Sequence, residues 1–251
     1  MIVGAIASGI NAVAGGGSLI SFPTLTGVTV GGFHLGYHVP MRTANATNSA
    51  GLWPGSLSSA LGFWNLLPKT AKYLKTLWFP TVAGSICGAF LLIRTKEEIF
   101  GKVVPALILG ATLLLAFQPR IKAWANKHER QITSRVAFCL QFLVSVYGGY
   151  FGAGMGIMML AVFTIYMEGN IHELNAVKAW LGMIINVICS GVFLLGGLIL
   201  ILPFAALTFG SLIGGYYAAK YSQGIDPNKL RIAIACYGFL TAGYFAYMNW
   251  F

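Results

Sequence analysis

From residue 136 to residue 167 the chain runs 32 positions without a charged side chain. A single upright membrane helix uses about 20 residues, so this run is too long for one such span. It is also interrupted at its centre, by Gly148, Gly149, Gly152, Gly154 and Gly156. Similar apolar stretches fill most of the 251 residues, and only 9% of the chain is charged. Ordinary soluble domains carry roughly 25%, so this chain cannot coat a compact core with a soluble surface. The same arithmetic excludes disorder, a disulfide scaffold and a coiled coil. The expected fold class is all-α: a polytopic helical membrane protein in two weakly similar halves with glycine-broken helices, and about eight spans at the usual length. The expected segments are 2–26, 43–67, 77–93, 99–117, 136–167, 175–197, 198–219 and 230–250. They group into a first membrane repeat (1–117), a basic cytoplasmic loop (118–135) and a second membrane repeat (136–251).

Sixteen Lys and Arg face six acids, a net charge of +10. The bases sit mostly in short polar breaks, which fits the positive-inside bias and contact with anionic headgroups rather than nucleic acid. If every segment crosses, residues 118–135 and Lys69, Lys72 and Lys75 share the cytoplasmic side and the N-terminus is cytoplasmic. Lys220, Lys229 and Arg231 then fall outside, against the bias, which suggests that one segment turns back. The first residues carry no basic stretch, so no cleaved leader is expected. Cys87, Cys139, Cys189 and Cys236 form no CxxC pair and read as small packing residues.

Sliding the chain by 139 residues lays GINAVAGGGSL over GGYFGAGMGIM, so that Gly9, Ala14, Gly15 and Gly17 meet Gly148, Ala153, Gly154 and Gly156. At a slightly different offset Asn45-Ala46 meets Asn175-Ala176, and Asn48 meets Lys178. Each half therefore has a glycine-broken apolar segment followed by a polar-tipped helix. Broken helices at matching places in two halves point to a transporter's binding site. A helix that restarts inside the membrane presents free N–H groups and a positive dipole end, which attract an anion. Whether the halves are parallel or inverted is open at this level.

At these residues the chain resembles the TauE/SafE family, the sulfite exporter-like membrane permeases. The resemblance is carried by NAVAGGGSLISFPTL (11–25), ANATNSAGLWPGSL (44–57), GGYFGAGMGIMML (148–160) and NAVKAWLGMIINVICSGVF (175–193). It implies a multi-pass protein of a bacterial or archaeal inner membrane that moves a small sulfur-containing anion such as sulfite or an organosulfur acid.

The expected substrate-binding residues are Gly15, Gly16, Gly17 and Ser18 at one break, Gly154 and Gly156 at the other, and Asn45, Thr47, Asn48, Lys178 and Asn186 on the following helices. Lys178 is a charge inside an apolar helix, a functional signal by default, with snorkelling to the interface as the alternative. Asn45, Thr47, Asn48 and Ser49 form a polar tip that either donates to oxyanion oxygens or ties helices together, and Asn186 either lines a cavity or holds helices together. Asn11 and Ser18 are candidate caps for the broken helix. His34 and His38 have helical metal-ligand spacing without an evident third ligand, so no metal and no cofactor are expected. The expected partners are a small anionic substrate and the lipid bilayer, with a homo-oligomer open and no nucleic acid. Intramembrane acids for a proton relay are absent from the sequence, so potential-driven movement is the simpler expectation. No nucleophile–base constellation suggests an enzyme. Transport of another small solute, a carboxylate or a metal ion, and an anion channel are the alternatives.

Overall fold

The structure is a computed structural model that describes residues 1–13, 16–27, 39–127, 132–221 and 227–250. Among these residues it is all helix and turn, without a strand. The first half contains α1 (Ile2–Val13), α2 (Ser18–Leu25), α3 (Met41–Gly62), α4 (Leu67–Arg94) and α5 (Glu97–Lys127), with a short 3-10 turn at Trp64–Leu66. The second contains α6 (Ser134–Tyr150), α7 (Met155–Tyr166), α8 (Ile171–Leu195), α9 (Ile201–Tyr221) and α10 (Pro227–Trp250).

Two classes of helix emerge. α3, α4, α5, α8, α9 and α10 have 22, 28, 31, 25, 21 and 24 residues. The helices on either side of the glycine breaks have only 12 and 8 residues, and 17 and 12. These short pairs are hairpins, not kinked rods. At the open end of α6–α7, the Ile132 amide donates to the Ile165 carbonyl at 3.0 Å and the Tyr166 hydroxyl reaches Ser134 Oγ at 3.3 Å. α7 therefore ends where α6 begins. In α1–α2 the chain also doubles back: a Cβ on Gly17 would collide with the Ala7 carbonyl, ten residues earlier.

Helix direction follows from glycine contacts. Gly84 and Gly88 of α4 pack on the backbone at Phe142 and Val146 of α6, so the two helices run parallel. Gly210 and Gly214 of α9 pack on Met1 and Ala5 of α1 in the same way. Both are GxxxG pairs, where missing side chains let backbones approach closely. The remaining packing repeats the pattern: α3 lies on α9 as α8 lies on α4, while α3 meets α8 and α5 meets α10 across the centre.

Exchanging the halves thus maps the packing onto itself. The pseudo-two-fold axis can be located from side chains. Ser56 and Asn186 are counterparts at the offset of 130 that pairs Asn45 with Asn175, and they bond each other, Asn186 Nδ2 to Ser56 Oγ at 3.0 Å. Thr112 and Gly238 are counterparts at the offset of 126 that relates the two GxxxG pairs, and they also touch.

Several boundaries differ from the sequence reading. Lys69, Lys72 and Lys75 lie within the first turns of α4, which starts ten residues before the expected segment. α5 continues to Lys127, ten residues beyond Phe117, because Lys, Arg and Ala favour helix even where they break hydropathy. Trp64–Arg94, Glu97–Arg120, Ile171–Leu195 and Lys229–Trp250 are long and apolar enough to cross a membrane.

Candidate functional site

α3 is the least apolar of the long helices, yet its first half is buried on nearly every side: Ala44, Asn45, Ala46, Thr47, Asn48, Ala50 and Gly51 are all in the interior. Small residues there allow α8 and α9 to approach, and hydroxyls at later turns are left to face a hollow. α3, α8 and the two hairpin tips enclose a cavity of about 260 Å³. Drug-sized pockets run about 300–1,000 Å³, so this one suits a small solute.

The cavity wall combines three chemistries. Ser49, Ser56 and Ser59 of α3 and Asn186 of α8 supply neutral hydrogen-bonding groups. Leu52, Phe63, Met155 and Met159 supply apolar surface. Lys178 supplies one positive charge. Its ammonium has no hydrogen bond or ion pair among the described residues. α8 begins at Ile171, so Lys178 stands two turns inside the helix, deeper than its distance from Asn175 suggests.

Both broken helices restart at this cavity. Ser18, the first residue of α2, and Gly156, in the first turn of α7, are wall residues. Gly154 precedes α7 at φ 78° and Gly152 sits at φ 80°, left-handed conformations that let the tip reverse within four residues. The tip is pinned by the Tyr147 hydroxyl on the Ala153 carbonyl at 2.6 Å. The Gly156 amide donates to no backbone group among the described residues. First-turn amides of this kind are the unsatisfied donors of a helix.

Of the residues expected from sequence, Ser18, Gly156, Lys178 and Asn186 line the cavity together. Asn11 also lines it, but neither Asn11 nor Ser18 caps α2, whose N-cap is Gly17 without a side-chain bond. Gly16 faces Leu115 and Ile234, and Gly17 packs on α1. Gly154 shapes the tip and faces Ala111. Asn45 and Thr47 are engaged elsewhere: Asn45 Nδ2 donates to the Tyr150 carbonyl at 3.0 Å, and Thr47 Oγ1 accepts from the Leu200 amide at 3.1 Å. Asn48 is buried beside the wall, and its Oδ1 has no partner among the described residues. Gly15, His34 and His38 lie outside the described residues. Among the described residues no three His, Cys, Asp or Glu side chains gather as a metal site.

Sequence reasoning singled out Ser49 beside Asn48 but missed Ser56, Ser59, Gly152, Met155 and Met159. The serines were legible as a period: positions 49, 52, 56 and 59 follow the 3-4 helical spacing of one face.

The sequence that builds this two-fold bundle matches a known family. The family described as sulfite exporter TauE/SafE matches residues 1–245 of this chain. The chain belongs to that family. Among TauE/SafE relatives, a Haemophilus influenzae protein named "Probable membrane transporter protein" is 31% identical, covering 99% of this chain and 94% of its own length. A Sinorhizobium protein, "Probable membrane transporter protein ORF9", is 26% identical over 92% of this chain and 86% of itself. Escherichia coli K12 "Probable membrane transporter protein YfcA" is 23% identical over 90% and 79%. No solved structure matches the chain. The family, the relatives' names and the apolar helices make this a multi-pass membrane protein of the transporter class.

Proposed function

We propose that the protein carries a small sulfur-containing anion, sulfite or an organosulfur acid, across a bacterial inner membrane by alternating access. The single observation that carries this reading is Lys178, without a partner among the described residues, on the wall of a cavity at which two helix N-termini begin. A charged side chain inside a membrane helix costs about 2.5–3.5 kcal/mol on insertion scales. An anionic guest offsets that cost; a cation raises it, which disfavours the metal-ion alternative. The first-turn amides of α2 and α7 add partial positive charge, and Ser49, Ser56, Ser59 and Asn186 can donate to oxygens. The apolar remainder of the wall accommodates an organic part if there is one. The family's description names a sulfite exporter, which supports sulfur as the central atom.

The membrane arrangement in this reading is six crossings and two re-entrant hairpins. Each half then crosses three times, so the halves are inverted. This replaces the eight crossings expected from hydropathy. The charge distribution supports it. With both hairpins re-entrant, Lys220, Lys229 and Arg231 join Lys69, Lys72, Lys75 and the five bases of residues 118–135 on one face, eleven in all. The other face has only Arg42, Arg94, Lys96 and Lys102. The first face is cytoplasmic by the positive-inside rule, and both α1 and the end of α10 lie toward the outside, not the cytoplasm. An inside-negative potential then drives a monoanion outward with about 2.3 kcal/mol per 100 mV.

The test is flux in proteoliposomes of the purified protein, with radiolabelled sulfite, ethanesulfonate, acetate and chloride. The reading predicts saturable movement of at least one sulfur anion, faster under a potential that is negative on its starting side. Preferential acetate flux favours the carboxylate alternative, and non-saturating chloride current favours a channel.

A further inference from the structure

The cavity is asymmetric along the axis that relates the halves, and the asymmetry identifies a contact that is broken in this structure. At the outer end of α3, Asn45 clasps the last carbonyl of α6, Tyr150, at 3.0 Å. Around it Phe22 meets Phe151 with centroids 5.5 Å apart, so α2 and the α6–α7 tip touch. That end is closed. The pseudo-two-fold axis turns α3 into α8, Asn45 into Asn175, and the end of α6 into the end of α1. The Asn175 side chain has no hydrogen bond among the described residues. Beside it on α8, Lys178, three residues further along the same helix face, lines the cavity, and so does Asn11 near the end of α1. The cavity extends past Gly62 and Phe63, where α3 ends. Thus one of two symmetry-related clasps is shut, and its counterpart at Asn175 is unmade among the described residues, next to the hollow.

The geometry points to Asn175 as the inner-gate residue: its side-chain amide bonds a carbonyl in the last turn of α1, near Asn11, in the alternate state, while the Asn45–Tyr150 bond opens. Asparagine suits both positions because a neutral amide donates to the free carbonyls at a helix C-terminus. It does so without adding a charge that would compete with Lys178 for the guest. An inverted pair of halves can exchange conformations at little net cost, since each state has one clasp closed and one open. Asn175 acts on access and not on the guest itself, so it is a positioning residue. This inference rests on the alternating-access reading, and its test is independent of flux.

The test uses cysteine pairs in a full-length chain whose Cys87, Cys139, Cys189 and Cys236 are replaced by serine. Asn11→Cys with Asn175→Cys probes the inner clasp in membrane vesicles under mild oxidation. The parent pair is expected to cross-link slowly, and adding Asn45→Ala, which removes the outer clasp, is expected to accelerate it about 2- to 10-fold, the equivalent of one hydrogen bond. An unchanged rate overturns the proposal. A second readout guards against misfolding of Asn45→Ala. Asn175→Ala is expected to raise labelling of Ser59→Cys by an impermeant maleimide added from the cytoplasmic face, and unchanged labelling also overturns the proposal. Conversely, coupled cross-linking in a chain that moves no anion retains the gate and removes the transport reading.

Discussion

Lys178 combines a position two turns inside α8, a place on the cavity wall and the lack of a partner among the described residues. Its replacement separates guest binding from folding, because no bond among the described residues is lost. Lys178→Gln is expected to weaken anion binding or raise KM by about 10- to 100-fold, in keeping with charge-assisted hydrogen bonds of about 1.5–3 kcal/mol. Size-exclusion behaviour should stay like the parent's. A variant that transports with an unchanged KM removes Lys178 from the site. Gly154 makes the opposite kind of prediction. Alanine there must adopt φ near 78° and bring its Cβ to 3.1 Å from Ala111 Cβ. The strain costs about 1–2 kcal/mol, read as a lower thermal midpoint in detergent, and the same change at open Gly243 should be tolerated. Legibility at this scale followed charge. A lone Lys in an apolar run is visible, as is Asn186. Ser56 and Ser59 were not singled out, because Ser within a membrane helix is as useful for close packing as for binding. Asn45 and Thr47 were read as site residues, and their amide and hydroxyl instead bond Tyr150 and Leu200.

At the scale of elements, the two GxxxG pairs hold each hairpin against the long helix of the other half. A Cβ on Gly88 or Gly214 would sit on the backbone of α6 or α1. Gly88→Leu and Gly214→Leu are therefore expected to displace the hairpins, with an overpacking cost of about 1–3 kcal/mol each. The measurable result is reduced yield of monodisperse protein, while Gly110→Leu, with open space around its Cβ, behaves like wild type. Sequence patterning located both breaks but not the return of the chain. Apolarity and helix length carry no direction. The hairpins become evident only through contacts such as Ile132 with Ile165, which join residues 33 positions apart. The basic runs misled for a related reason: charge marks contact with water or headgroups, and Lys69, Lys72 and Lys75 reach it from inside a helix.

For the whole molecule, the proposed inversion would account for the symmetric packing, the shared cavity and the charge asymmetry together. The sequence already contained the conflict that inversion resolves, since Lys220, Lys229 and Arg231 fell on the wrong side of an eight-crossing chain. The topology is testable without any substrate. A fluorescent protein fused after Trp250 should stay dark and an alkaline phosphatase fused there should be active, because the proposed six-crossing arrangement puts the end of α10 at the outer face; bright fluorescence overturns that arrangement. The central claim, that one cavity between inverted halves holds an anion on Lys178 and two helix N-termini, is tested most directly by equilibrium binding. Purified protein titrated calorimetrically with sodium sulfite and with sodium ethanesulfonate is predicted to bind at least one of them at a single saturable site, weakened about tenfold or more by Lys178→Gln. Equal affinity in the two proteins, or no binding by the wild type to either anion, contradicts the account.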